Sequence, residues 1–120
     1  MVTSCALNLD KTDPKWTEFQ KAFQSRYGTQ PDAYAAYAYD GMKLLIASIE
    51  RAGLNRGEIM DALRAYRNKT YEGVTGQAQF DPTLNNIAPI SLARVENGRF
   101  VYWSAARKDS TGAKSGGGEQ

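Results

Sequence analysis

Histidine is absent from the 120 residues, and cysteine occurs once, as Cys5. Zinc and haem sites, and Ser-His or Cys-His nucleophile systems, need those residue types in supply, so all are excluded at the outset. Cys5 has no intramolecular partner for a disulfide, and one cysteine says little about redox compartment. Long apolar runs are also missing. The longest is broken by Asp40 and Lys43, well short of the ~20 residues of a membrane-spanning helix, so no membrane insertion is expected. The opening stretch Met1-Val2-Thr3-Ser4-Cys5 has neither a basic n-region nor an apolar h-region, so no secretory signal is expected in this chain. Charge of one sign is lacking too: 15 Lys+Arg oppose 13 Asp+Glu, a net +2. Arg51, Arg56, Arg64, Arg67 and Lys69 make a loosely basic stretch, but Glu50, Glu58 and Asp61 interrupt it. A nucleic-acid interface is therefore not expected. The length allows one domain with one core.

Three helices announce themselves by their ends. Asp13-Pro14 reads as an N-cap with proline at the first helical position, and Trp16, Phe19, Phe23 and Tyr27 then recur at three- and four-residue steps before Gly28. That spacing predicts a helix over about 14–27 with an aromatic core stripe. A second helix is predicted over about 32–52, closed by Gly53. Ala35, Ala38, Tyr39, Met42, Leu45, Ile46 and Ile49 lie on one face and Asp40, Lys43, Glu50 and Arg51 on another. Tyr34, Tyr37 and Leu44 form a further apolar line beside the main one. Asn55 with Glu58 resembles a capping box, opening a third helix over about 56–67 with Ile59, Leu63 and Tyr66 inward. Glu58 and Asp61 share a face there, but Arg64 follows at i+3, which reads as a solvated charged face rather than an acid–base pair.

Strand chemistry follows. Gly73 and Gly76 flank Val74-Thr75, and residues 77–80 alternate as a strand until Asp81-Pro82. No Lys-Ser/Thr and no helix follow the two glycines, so they mark a close backbone bend and not a phosphate loop. A hairpin is predicted over about 89–103, turning at Asn97-Gly98 and returning through Phe100-Val101-Tyr102-Trp103. Residues 104–120 carry almost nothing apolar, and a disordered tail is expected. No catalytic constellation, metal-ligand cluster or cofactor fingerprint emerges, so no enzyme and no cofactor are expected.

The order of motifs is specific in combination. Asp13-Pro14 and Tyr27-Gly28 precede Pro31-Asp32-Ala33-Tyr34-Ala35-Ala36-Tyr37-Ala38-Tyr39-Asp40-Gly41 and Ile49-Glu50-Arg51-Ala52-Gly53. Tyr71-Glu72-Gly73-Val74-Thr75-Gly76, Phe80-Asp81 and Asn97-Gly98-Arg99-Phe100-Val101 follow. From Val2 to Trp103 this resembles the C-terminal portion of the type I periplasmic (extracellular) ligand-binding receptors of branched-chain amino acid ABC transporters. Two positions depart from the pattern. Gly41 stands where relatives often have Ala, a cost of about 1 kcal/mol in a helix, and Thr83-Leu84-Asn85-Asn86 replaces a Gly-Asp turn.

The resemblance implies an α/β fold: a partial periplasmic-binding-protein lobe of three helices, a strand after the Gly-Val-Thr-Gly bend and a C-terminal β-hairpin. Residues 1–84 would belong to the first lobe, and 85–103 would form a hinge crossing and a hairpin of the second. The implied function is solute binding in ABC-type amino acid uptake, by closure of two lobes on a small amino-acid-like ligand, with an ABC permease as partner. The parent receptor would be periplasmic or extracellular. The aromatic opening the Tyr-Asp helix faces the cleft in relatives. The resemblance thus implies Tyr34 as a ligand contact, with Tyr37 second; the alternative role for Tyr34 is packing on the neighbouring helix. The strands that the helices should cover are not in this stretch, so completion by oligomerisation, as a homodimer, is expected. A ligand-sensing or dimerisation module of a receptor or regulator, or a truncated product without independent function, is the alternative reading.

Overall fold

The computed structural model describes residues 1–103, so the disorder expected for 104–120 lies outside the described residues. The chain runs β1 (Val2–Cys5), α1 (Pro14–Tyr27), α2 (Ala33–Ala52), α3 (Arg56–Arg64), β2 (Thr70–Gly73), β3 (Gly76–Gln79), β4 (Ser91–Glu96) and β5 (Arg99–Trp103). Each helix begins where a short polar side chain accepts from the first turn. Asp13 accepts from the Trp16 amide at 3.2 Å and Asp32 from the Ala35 amide at 2.8 Å. Asn55 takes both the Gly57 and Glu58 amides. Gly28, at φ 71°, closes α1 in the left-handed conformation that glycine adopts without steric cost.

The third helix is shorter than its periodicity suggests. It ends at Arg64, and the Tyr66 and Arg67 amides then bond to the Leu63 and Arg64 carbonyls, an i→i−3 pattern that tightens the chain. Asn68, at φ 57°, turns it into β2.

Two antiparallel sheets result, one ordered β1-β4-β5 and one formed by β2 and β3. In the smaller, Thr70 faces Gln79 and Gly73 faces Gly76, so the single strand expected over 77–80 is one arm of a hairpin whose turn is Val74-Thr75. Phe80 leaves the ladder and makes an isolated bridge with Asn86. The larger sheet contains the expected hairpin, with both Asn97 (φ 49°) and Gly98 (φ 75°) at positive φ, as a two-residue turn between twisted strands requires. Val2–Cys5, grouped by sequence with the helices of residues 1–84, pairs along its length with β4 from Arg94 to Ser91. β1 thus belongs with the hairpin, and backbone pairing across the sheet decides its place.

The core is small. Leu7, Trp16, Phe19, Ala36 and Val74 form one buried cluster, with Leu9, Phe23 and Ala33 packed against it. The Trp16 indole N–H donates to the Leu9 carbonyl at 3.1 Å, so the largest buried side chain is satisfied at its polar end. On α2 the buried residues are Ala36, Asp40 and Ser48, whereas Tyr39, Met42 and Ile46 of the apolar face remain exposed. The polar face of that helix therefore carries one of its buried residues, Asp40, and its apolar face lacks a covering layer.

Candidate functional site

Asp40 organises the region around the Gly-Val-Thr-Gly bend. One carboxylate oxygen accepts from the Val74 amide at 2.8 Å; the other accepts from the Thr75 amide at 2.9 Å and from the Thr75 hydroxyl at 2.5 Å. Two consecutive backbone amides without strand partners are thereby satisfied by an ionised acceptor in a buried position. Gly73 makes the approach possible, because a Cβ there would overlap the Asp40 carboxylate. The Lys11 ammonium also donates to the bend, to the Val74 carbonyl at 2.5 Å, and pairs with Asp13 at 3.2 Å. The bend is held by groups from α2 and from the loop before α1, in keeping with the close backbone bend read from the glycines.

One turn toward the N-terminus, Tyr37 donates its hydroxyl to the Ala6 carbonyl at 2.8 Å. This ties α2 to the residue that follows β1. Burial, with a smaller contribution from the Asp40 charge, raises the Tyr37 phenol above its ordinary value, so it remains a neutral donor. Tyr37 also lines a recess of about 260 Å³ with Ala6, Thr75, Gln77, Gln79 and Asn86. The recess lies where the loop after β1, helix α2, the β2–β3 hairpin and the segment leading to β4 meet, and most of its lining groups are hydrogen-bonding.

Tyr34 sits in the first turn of α2 and is 86% exposed. It is not part of the recess lining, so the structure brings Tyr37 to the recess and leaves Tyr34 outside it. The alternative of Tyr34 packing on a neighbouring helix is not what the structure shows. Thr75, Gln77, Gln79 and Asn86 were not singled out by sequence reasoning as site residues. Their signal was the bend itself, since a glycine-flanked turn that accepts a helix carboxylate must bring its own polar side chains to that helix.

Among the described residues, no group of three or more His, Cys, Asp or Glu is placed to hold a metal ion. Among the same residues no helix is long and apolar enough to cross a membrane.

Comparison with known proteins places this geometry in a family. A family model described as periplasmic binding protein matches residues 2–99. The Leu/Ile/Val-binding protein homolog 2 of Brucella abortus (strain 2308) is 29% identical over 98 residues, which cover 78% of this chain and 26% of that protein. An ABC transporter substrate-binding protein from Desulfitobacterium hafniense, solved in complex with Leu, superimposes with a TM-score of 0.74 at 30% identity, over 85% of this chain and 30% of that one. The branched-chain amino acid transporter substrate-binding protein LivJ from Streptococcus pneumoniae, solved with isoleucine, gives 0.72 at 28% identity, over 84% and 29%. The chain thus corresponds to roughly a quarter to a third of the length of these relatives. With the matched segment taking in both sheets down to Arg99 and all three helices, the chain belongs to the periplasmic binding protein family.

Proposed function

We propose that this chain is the C-terminal part of a solute-binding component of an ABC-type amino acid uptake system. Its role is to bind a small amino-acid-like ligand, without chemical conversion, for delivery to an ABC permease from the periplasmic or extracellular side. The relatives solved with Leu and with isoleucine support the ligand class. The observation that carries the reading for this chain is the presentation of Tyr34. Its ring stands free in the first turn of α2, beside a helix end anchored by the Asp32 cap and by the Tyr37–Ala6 hydrogen bond. A flat aromatic surface with a hydroxyl, held on a rigid helix end, suits covering an apolar side chain at a pocket edge. Tyr37, fixed as a neutral donor one turn on, borders the polar recess that a ligand's charged end can approach. Lobe closure around the ligand would then complete the site, with the ligand shifting an open–closed equilibrium.

The test is an NMR titration of the chain with L-leucine, L-phenylalanine and L-glutamine. Because this stretch supplies few contacts, binding in the millimolar range is expected, with the Tyr34 and Tyr37 ring resonances moving and the Tyr34→Ala variant losing the response. Rings that stay fixed at saturating amino acid, or an undiminished response in Tyr34→Ala, would refute the assignment.

A further inference from the structure

We propose that the hydrogen bond from the Tyr37 hydroxyl to the Ala6 carbonyl is the latch of a two-point hinge, with Ala6 and residues 88–90 as the points at which the β1–β4–β5 sheet turns against the helical part of the chain. The chain passes between that sheet and the rest of the fold twice, once after Cys5 and once before Ser91. Where each passage can bend is decided by which of its residues are already held, and by which side.

In the first passage, Cys5 pairs with Ser91 and belongs to the sheet. On the helical side, Leu7 is buried in the core cluster, the Leu9 carbonyl accepts from the Trp16 indole, and Lys11 donates to the Val74 carbonyl. Ala6 is left between two fixed neighbours. In the second passage, the Asn68 amide donates to the Phe80 carbonyl at 2.9 Å and the Phe80 amide to the Lys69 carbonyl at 3.2 Å. The Asp81 amide donates to the Asn85 carbonyl at 3.0 Å, and the Ile87 amide to the Gln79 carbonyl at 2.7 Å. The chain is thereby tied to the β2–β3 side as far as Ile87, and the ladder of the larger sheet begins at Ser91. Between them, the Ala88 amide bonds two residues back to the Asn86 side chain, and Pro89 has no N–H with which to join either side. Residues 88–90 are the second free stretch.

The two free stretches meet. Ala6, Ala88 and Pro89 line the same recess, and two adjacent passages free at one level define a hinge axis. Tyr37 lines that recess as well, with its hydroxyl on the Ala6 carbonyl at 2.8 Å. The tyrosine stands on α2, which Asp40 fixes to the β2–β3 bend one turn further on. The bond therefore runs from a rigid helix to the moving point itself, and a turn at Ala6 swings the carbonyl out of reach. A hydrogen bond of this kind favours the latched arrangement by about two- to tenfold. Tyr37 would then act on ligand affinity as a positioning residue, by biasing lobe closure; that consequence rests on the solute-binding reading above, and the latch itself does not.

Residual dipolar couplings on the ¹⁵N-labelled 120-residue chain, without ligand, test the proposal. In the wild type, the amides of β1, β4 and β5 and those of the three helices with β2 and β3 are expected to fit one common alignment. In Tyr37→Phe each set is expected still to fit its own part of the fold, while the order of the sheet relative to the helices drops as the latched population falls two- to tenfold. Microsecond–millisecond exchange should appear at the amides of Ala6, Ala88 and Ile90 and spare Leu7 and Ile87. Tyr39→Phe, which removes a hydroxyl from the same helix where the ring packs on Phe19 at 4.8 Å, is expected to leave the common alignment intact. Two independent alignments already in the wild type overturn the latch, as does a common alignment that survives Tyr37→Phe or an equal loosening in Tyr39→Phe. Couplings in Tyr37→Phe that fit neither part would make Tyr37 a packing residue and overturn it too. Exchange spread beyond Ala6 and residues 88–90 overturns the hinge points. None of these outcomes depends on whether the amino-acid titration succeeds.

Discussion

Replacing Asp40 by alanine strands the backbone amides of Val74 and Thr75 and frees the Thr75 hydroxyl. The magnitudes differ among the three. Val74 is buried, at 8% exposure, so its amide has no ready water partner and its stranding costs about 1–3 kcal/mol. Thr75 is partly exposed, and water can replace most of what the carboxylate supplied, leaving about 1 kcal/mol for its amide and hydroxyl together. The expected loss is therefore about 3 kcal/mol, a large share of the roughly 5–15 kcal/mol typical of a domain. For a chain of 120 residues the conversion is about 3–6 °C per kcal/mol, so the midpoint should fall by roughly 9–18 °C. Thermal unfolding followed by circular dichroism reads this directly. A second substitution makes the reasoning sharper. Gly73→Ala puts a methyl group into the space of the Asp40 carboxylate and is expected to destabilise the wild type by about 1–3 kcal/mol. In the Asp40→Ala background that space is vacant, and the same change should cost almost nothing. Additive effects of Gly73→Ala and Asp40→Ala, or a midpoint change below about 3 °C for Asp40→Ala, would refute the idea that this carboxylate holds the bend.

Two predictions concern pH. Burial first, and then the Asp40 charge, raise the phenols of Tyr37 and Tyr71 in the folded chain. Their contribution to stability is therefore fully present below the unfolded value of about 10 and is lost as pH rises through the higher folded values. Urea midpoints should hold steady to mildly alkaline pH and then fall, and Tyr37→Phe should flatten part of that fall while losing the Ala6 hydrogen bond at neutral pH. Asp81 is displaced the other way: the Thr83 hydroxyl, then the Asn85 amide, hold its carboxyl below the ordinary value. Its contribution is present above the unfolded value of about 3.9 and disappears as pH drops through the lower folded one. Thr83→Ala should return the Asp81 titration toward the ordinary range in a carbon-detected NMR experiment, and an unmoved titration would reject the hydrogen-bond explanation.

What could be read from sequence was whatever local chemistry decides. Asp13, Asp32 and Asn55 marked the helix starts because a side chain that accepts from the first turn acts within three residues, and Asn97-Gly98 marked its hairpin because positive φ is a local demand. The Tyr-Asp helix and the glycine-flanked bend were recognisable as parts of one family pattern, and the structure joins them through Asp40. Elements that depend on distant partners were not visible. Val2–Cys5 is a four-residue segment whose only argument for being a strand is β4, at the far end of the described chain. Thr70–Gly73 likewise needs β3 across the turn to become an arm of a hairpin. The recess was hidden for the same reason, since Ala6, Thr75, Gln79 and Asn86 are neighbours only after both sheets have formed around α2.

The same distant contacts bear on the ligand contact proposed for Tyr34. Tyr37 and Asp40 lie one turn apart on α2, and they reach different places: Tyr37 holds the residue after β1, and Asp40 holds the turn of the β2–β3 hairpin. One turn of helix thus couples the β1–β4–β5 sheet to the β2–β3 hairpin, and any relative movement of the two must be absorbed by loops rather than by α2. Tyr34 rides on the end of that coupled turn, one turn before Tyr37, with its own ring free. Its position is therefore set by rigid anchors while its surface remains available, the combination that a closing cleft demands of an edge residue. A substitution at Asp40 should for that reason loosen Tyr34 without touching it. In the Asp40→Ala protein, the Tyr34 response to L-leucine should weaken even below the unfolding transition, while Tyr34→Phe, which keeps the ring, should retain it.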